Sequence, residues 1–356
     1  CMLVTMVPAT AFAAEDIAPT DELSQNLADD IGGEGGPVLD DSVTDDGESE
    51  NSASDDAAQN AGQPENPSDN AAPIADSTMV AENIEITIDG ITYTIDFYSD
   101  GTNRWANIWK MTNPATPTEV TLPRVAEYNG EEYLVTEIQF SMWDKCRNVT
   151  KLTLPDSLTT VNSSSFYKFP NLTEMTIPGG IKNFGGSFQN MNKLKTLTFE
   201  EGVEEISSNS MLKGCEALTE INLPSSLKRI TAPAAFSGAT ALESITLPEG
   251  LVVTEGSLFD GCTSLTSVEL PDSMTEIPSS TFSGCTSLKS VTAKQTITSI
   301  GDSAFYKCSA LTTIPDLGQV TKIGYNAFEE CKALTGPLDL SNVTEMKSNA
   351  FYDCTE

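Results

Sequence analysis

From residue 143 onward the apolar positions of this chain recur in a fixed order. The stretch from Phe259 to Thr281 reads FDGCTSLTSVELPDSMTEIPSST, and the next, FSGCTSLKSVTAKQTITSIGDSA, has the same length. Marker residues fall at Trp143, Phe166, Phe188, Leu212, Phe236, Phe259, Phe282, Phe305, Phe328 and Phe351, spaced 22 to 24 residues apart. Each unit follows Phe-x-x-Cys-x-x-Leu-x-x-Ile-x-Leu-Pro and then Leu-x-x-Ile. In the unit beginning at Phe259 the apolar positions are Leu265, Val268, Leu270, Met274 and Ile277. The Val268-x-Leu270 alternation predicts a short strand. Pro271 ends it, because proline has no N–H to give to a sheet ladder. A unit this short cannot bury its own apolar row, whereas stacked units bury each row against the next. The expected fold is therefore a β-rich solenoid of about ten coils, near 45 Å long at the ~4.8 Å spacing of neighbouring strands.

Residues 84–142 do not repeat. IEITIDGITYTIDFYSDG alternates around Asp89-Gly90, and VTLPRVAEYNGEEYLVTEI around Asn129-Gly130. Asp-Gly and Asn-Gly between alternating strands predict two-residue hairpin turns. We read this segment as a β-hairpin cap over the first coil, since a solenoid's end row needs cover. Trp105 and Trp109 fit packing within such a cap or contact with a ligand, packing being the commoner role in a small domain.

At the level of motif, LTSVELPDSMTEIPSSTFSGC resembles the BspA-like class of leucine-rich repeats of bacterial cell-surface proteins. The resemblance covers roughly residues 84–356. It implies a leucine-rich-repeat fold, display outside the cell, adhesion or protein binding, and no catalytic residues. The last two full units depart from the pattern. ALTTIPDLGQV and ALTGPLDLSNV keep the length but shift the proline, which predicts first strands that bend or run short.

The N-terminal third is different in kind. The chain opens CMLVTMVPATAFAAED, an apolar run leading to the small-x-small site Ala11-Phe12-Ala13. This reads as the back part of a secretory signal peptide over residues 1–13, with its basic front absent. Cys1 as a lipoprotein cysteine is the rival reading, but the apolar run follows it rather than precedes it. Residues 14–80 are rich in Asp, Glu, Ala, Ser, Asn, Gly and Pro, and are expected to be a disordered acidic linker. No Lys or Arg precedes Arg104, while 23 of the 52 carboxylates do. No apolar stretch reaches the ~20 residues of a membrane span.

Charge and composition narrow the chemistry. A formal net charge of -33 with only 19 basic residues argues against nucleic acid and against an anionic membrane surface. The chain has no histidine, so it lacks the commonest general base and metal ligand. No cofactor and no metal site are expected. Seven of the eight cysteines share one repeat column, at 146, 215, 262, 285, 308, 331 and 354. Phe169, Met191 and Ala239 fill the same column elsewhere, so the column faces the core. Buried free thiols are expected rather than disulfides, because stacked Cβ atoms ~4.8 Å apart exceed the ~3.8 Å of a bridge.

The outward mid-strand position reads Thr153, Thr176, Thr198, Asn222, Thr246, Glu269 and Thr292. Threonine suits exposed strand positions in any case, but the stripe is also the candidate binding face. The primary functional reading is a secreted or surface-displayed adhesion module for an extracellular protein or cell-surface ligand. Two alternatives stay open: a structural cell-envelope component, and the repeat part of a larger extracellular hydrolase working with paired carboxylates. Against the latter, acids such as Glu220, Glu269 and Asp272 fall at outward or turn positions. Residues 143–356 break off inside a coil, so further sequence is expected beyond Glu356.

Overall fold

The computed structural model describes residues 77–112, 118–139, 146–161, 166, 169–335 and 337–354. The segment read as an export signal, nearly all of the expected acidic linker, and Trp143 lie outside these residues. Six strands open the described chain: β1 (Thr78–Ile88), β2 (Ile91–Ser99), β3 (Arg104–Thr112), β4 (Glu119–Thr121), β5 (Val125–Tyr128) and β6 (Glu131–Ile138). Both expected hairpins form. Ile88 pairs with Ile91 and Tyr128 with Glu131. The two residues of each turn have positive φ, 51° and 77° at Asp89-Gly90 and 53° and 78° at Asn129-Gly130. That is the type I′ geometry whose twist matches the flanking strands, and it is why Gly follows Asp or Asn there.

β1 starts at Thr78, before the alternation becomes readable near residue 84. Its register shifts between Met79 and Ala81 and again between Ala81 and Ile84, with Asn83 at φ 57°. Two bulges break the period of two, so that end of the strand leaves no alternating pattern. The sheet runs β1-β2-β3-β6-β5. Tyr93, Ile95, Phe97, Ala106, Ile108 and Val135 form its buried face.

This sheet is continuous with the repeats. β4 pairs in parallel with Lys151–Thr153, matching Val120 to Leu152. The end of β6 pairs in parallel with Thr160–Val161, matching Ile138 to Val161. Residues 119–138 thus supply both strands of a coil, with the Asn129-Gly130 hairpin inserted between them.

From there the chain is a solenoid of about nine turns. Most turns offer a first strand, such as Glu174–Ile177, Thr196–Phe199 or Ser267–Leu270, and a two-residue second strand, such as Glu205–Ile206 or Ser299–Ile300. Both kinds pair in parallel with their counterparts one coil away. The first-strand row Leu152, Met175, Leu197, Ile221, Ile245, Val268 and Val291 is buried, as is the second-strand row Phe184, Ile206, Ile230, Ile277, Ile300 and Ile323. First strands run short in places, and not only where the proline is shifted: the coil with Pro248 in its usual place is held to the next by the Ser244–Ser267 bridge. In the unit after Cys308 the first strand shrinks to a bridge between Ser290 and Thr313, while Lys322–Ile323 keeps the second ladder running.

The Phe column forms a ring stack along the core. Centroids of Phe259, Phe282, Phe305, Phe328 and Phe351 follow one another at 5.6, 5.3, 5.0 and 5.0 Å, with planes within 14°. Offset stacking adds about 0.5–1.5 kcal/mol per pair beyond area burial. Beside it runs the thiol column. The six cysteines from Cys215 to Cys354 form no disulfide, and each Sγ from Cys262 to Cys354 donates to the carbonyl of a Phe in the preceding coil, at 3.1–3.3 Å. Burial pushes the thiols of Cys215, Cys262 and Cys308 up to about 12, which keeps them neutral.

Threonine is frequent for a further reason. Thr298, Thr321 and Thr344 each donate Oγ1 to the carbonyl of the threonine one coil back, at 3.2 Å, beside the backbone N–H that reaches the same oxygen. A short hydroxyl side chain here adds a second donor to a carbonyl at the mouth of these second strands.

Candidate functional site

The exposed face of the first-strand ladder is where the seven stripe residues stand. Each sits between two inward apolar residues, so alternation forces its side chain out. Thr153, Thr176, Asn222, Thr246, Glu269 and Thr292 are exposed and Thr198 is half-buried. The ladder joins some of them directly. Thr198 pairs with Thr176 on one side and Asn222 on the other, and Asn222 Nδ2 donates to Thr198 Oγ1 at 3.3 Å. Glu269 pairs with Thr292. Thr153 pairs instead with Thr121 of β4, and Thr246 stands in a coil held to its neighbour by the Ser244–Ser267 bridge.

Two features of this face escape a reading one position per coil. Thr121 extends the stripe toward the N-terminus, and its signal was the EVTLP segment, a copy of KLTLP inside a region that otherwise does not repeat. A second row lies two residues earlier on the same side: Glu119, Lys151, Glu174, Thr196 and Glu220 in consecutive coils, then Ser267 and Ser290. The face is thus two residues wide, hydroxyl-rich in one row and charged in the other. Between the first strands at Lys151–Thr153 and Glu174–Ile177 the ladder is interrupted. A shallow groove of about 280 Å³ opens there, lined by Lys151, Thr153, Glu174, Met175 and Thr176 among others.

The groups present can hydrogen-bond and form ion pairs. Carboxylates in the adjoining turns are held ionised. Hydrogen bonds from Lys294 and from the Asp272 backbone keep the Glu249 carboxyl below its ordinary range, and the Ser225 backbone and hydroxyl do the same for Glu201. A general acid needs the opposite, a carboxyl held protonated by an apolar setting. Among the described residues every carboxyl with a resolved shift is lowered: Asp100, Glu201, Glu204, Glu249, Asp339 and Glu345. Among the same residues no group of three or more His, Cys, Asp or Glu is placed to hold a metal ion, and no helix is long and apolar enough to cross a membrane.

Parallel coils of 22 to 24 residues, an inward Leu/Ile/Phe/Cys lattice and an outward polar ladder define a leucine-rich-repeat solenoid. The family model for the BspA type leucine rich repeat region matches residues 132–238 and 232–356, in 6 copies, and the chain belongs to that family. Among solved structures it is similar to a leucine-rich cell surface protein from Faecalibacterium prausnitzii A2-165, at 20% identity over 76% of this chain and 86% of that one, TM-score 0.42. The leucine-rich repeat protein of T. pallidum is 21% identical over 72% and 94%, TM-score 0.41. The pneumococcal vaccine antigen PcpA is 16% identical over 76% and 89%, TM-score 0.43. Comparison with curated proteins gives no match.

Proposed function

We propose that this chain is a secreted or surface-displayed bacterial module that binds an extracellular protein through the exposed first-strand face of its solenoid. The observation that carries the proposal is the two-row polar face, Thr121 through Thr292, in which each residue of the outer threonine-rich row stands between buried or partly buried apolar residues. A parallel ladder fixes these groups in register without spending side-chain order, which is what a preorganised binding surface requires. Family membership and the surface or antigen descriptions of the similar structures support display outside the cell. On this reading the repeat region is a non-enzymatic scaffold, residues 1–13 direct export, the acidic segment up to about residue 80 is a solubilising linker, and the N-terminal sheet is the cap that covers the first coil's apolar rows.

The test is a binding screen of the full chain against immobilised host-matrix and bacterial surface proteins, run in parallel with Thr198→Lys and Glu269→Lys. These substitutions add bulk or reverse charge at outward positions and leave the core untouched. Capture of a partner by the parent and its loss in both variants supports the assignment. Capture that neither variant changes moves the site off this face, and turnover of a glycan or peptide by the purified chain refutes the scaffold reading.

A further inference from the structure

The N-terminal sheet presents a second outward surface, unlike the solenoid face. On β2 the residues Tyr93, Ile95 and Phe97 point into the core, so alternation puts Thr94, Asp96 and Tyr98 on the opposite side. The register then assembles two rows across the strands. Met79, Tyr98, Trp105 and Leu134 form one; Asp96, Asn107 and Glu137 form the next. The rings of Tyr98 and Trp105 are parallel to within 8° with centroids 6.2 Å apart. Met79 is exposed, and Tyr98, Trp105 and Leu134 are partly so.

The neighbouring row is rich in acceptors. Asp96 Oδ1 takes hydrogen bonds from the Asn83 N–H at 2.7 Å and from Trp109 Nε1 at 3.3 Å. Glu137 Oε2 takes one from Asn107 Nδ2 at 2.9 Å. Burial, then the charges of Asp96, Glu137 and Glu82, raises the Tyr98 hydroxyl above its ordinary pKa. Two shielded oxygens on this face have no hydrogen-bond partner, Asn107 Oδ1 and the Oγ1 of Thr94, a residue only 4% exposed. Among the described residues of this face, Lys110 is the base; Arg104 at its edge is engaged by Glu131 at 3.2 Å.

Aromatic faces beside clustered carboxylates call for a ligand that is cationic, planar and made only of donors. Guanidinium fits all three: it stacks on aromatic rings, carries a fixed charge and offers five N–H groups. We propose that this face binds an arginine-bearing basic protein segment, with a guanidinium over the Tyr98–Trp105 pair and its N–H groups directed to the carboxylates of Asp96 and Glu137. The site is separate from the first-strand face, and neither proposal depends on the other.

The experiment titrates the full chain with an oligo-arginine peptide, with oligo-lysine and oligo-glutamate peptides of equal length as comparisons, following tryptophan fluorescence and peptide anisotropy. The expected result is tighter binding of the arginine peptide than of the lysine peptide and none of the glutamate peptide. Glu137→Gln and Trp105→Leu should each weaken the arginine peptide about tenfold, while Asp272→Asn on the solenoid should leave it unchanged. Thermal melting of each variant checks folding; should Trp105→Leu not fold, Glu137→Gln decides. Equal binding of the arginine and lysine peptides overturns the proposal, as does unchanged affinity in the face variants. Binding of a neutral oligosaccharide in place of the peptide, lost in the same variants, reassigns the face to glycan and also overturns it.

Discussion

The thiol column gives a pH dependence whose sign and size follow from burial. Cys215, Cys262 and Cys308 have an ordinary pKa of 9.0 that the fold raises to about 12. In the unfolded chain these thiols ionise above pH 9; in the folded chain they stay protonated. Their contribution is therefore complete below pH 9 and is lost as the pH rises toward 12. Raising the pH from 8 to 10 should cost about 1.4 kcal/mol for each of these thiols, or about 4 kcal/mol for the three. The assay is urea unfolding at the two pH values in the presence of a reductant. Other groups titrate in this range as well, Tyr93 among them with its pKa also raised to about 12, so the decisive quantity is a difference of differences. Cys262→Ala, an exchange that Ala239 already makes in the same column, should lower stability at pH 8 but lose about 1.4 kcal/mol less than the parent on going to pH 10. Ionisation also governs reactivity. At pH 8 the thiolate fraction of a buried thiol falls from about one in ten to about one in ten thousand, so native labelling should be about a thousandfold slower than in denaturant. An equal pH-dependent loss in parent and variant, or native labelling at the rate of an exposed thiol, would refute the account of the column as buried and neutral.

Three further outcomes are expected. Phe282→Ala should destabilise by about 3–5 kcal/mol and Phe282→Leu by clearly less, because Leu212 already occupies this column fully buried; a loss in Phe282→Leu as large as in Phe282→Ala, read by chemical unfolding, would contradict this. Lys307→Gly and Glu330→Gly should each stabilise by about 1 kcal/mol, since both sit at φ near +60° in the turn where Gly261 and Gly284 stand in other coils; a lower melting temperature in both would contradict this. Gly130→Ala, at φ 78° in the hairpin between β5 and β6, should cost about 1 kcal/mol, read as a lower urea midpoint, and should leave a ligand of the first-strand face bound with unchanged affinity.

The sequence by itself determined everything that repeats or is local. One period places Phe, Cys, Leu and Ile on the inside and Thr198 or Glu269 on the outside, because a strand turns alternate side chains to opposite faces whatever surrounds it. Asp89-Gly90 and Asn129-Gly130 fix their hairpins because positive φ at both residues is a property of the turn itself. The apolar substitutes Met191 and Ala239 likewise disclose that the cysteines point inward. Tertiary structure decided what depends on pairing between segments far apart. That β4 lies on Lys151–Thr153 and the end of β6 on Thr160–Val161 makes residues 119–138 part of the coil stack, which no local period reveals. The bulges of β1, the break in the ladder beside Thr153, and the row that sets Tyr98 against Trp105 and Asp96 against Asn107 are of the same kind. Register between strands is set by burial of whole faces and by where bulges fall, so it comes into being only when the strands meet.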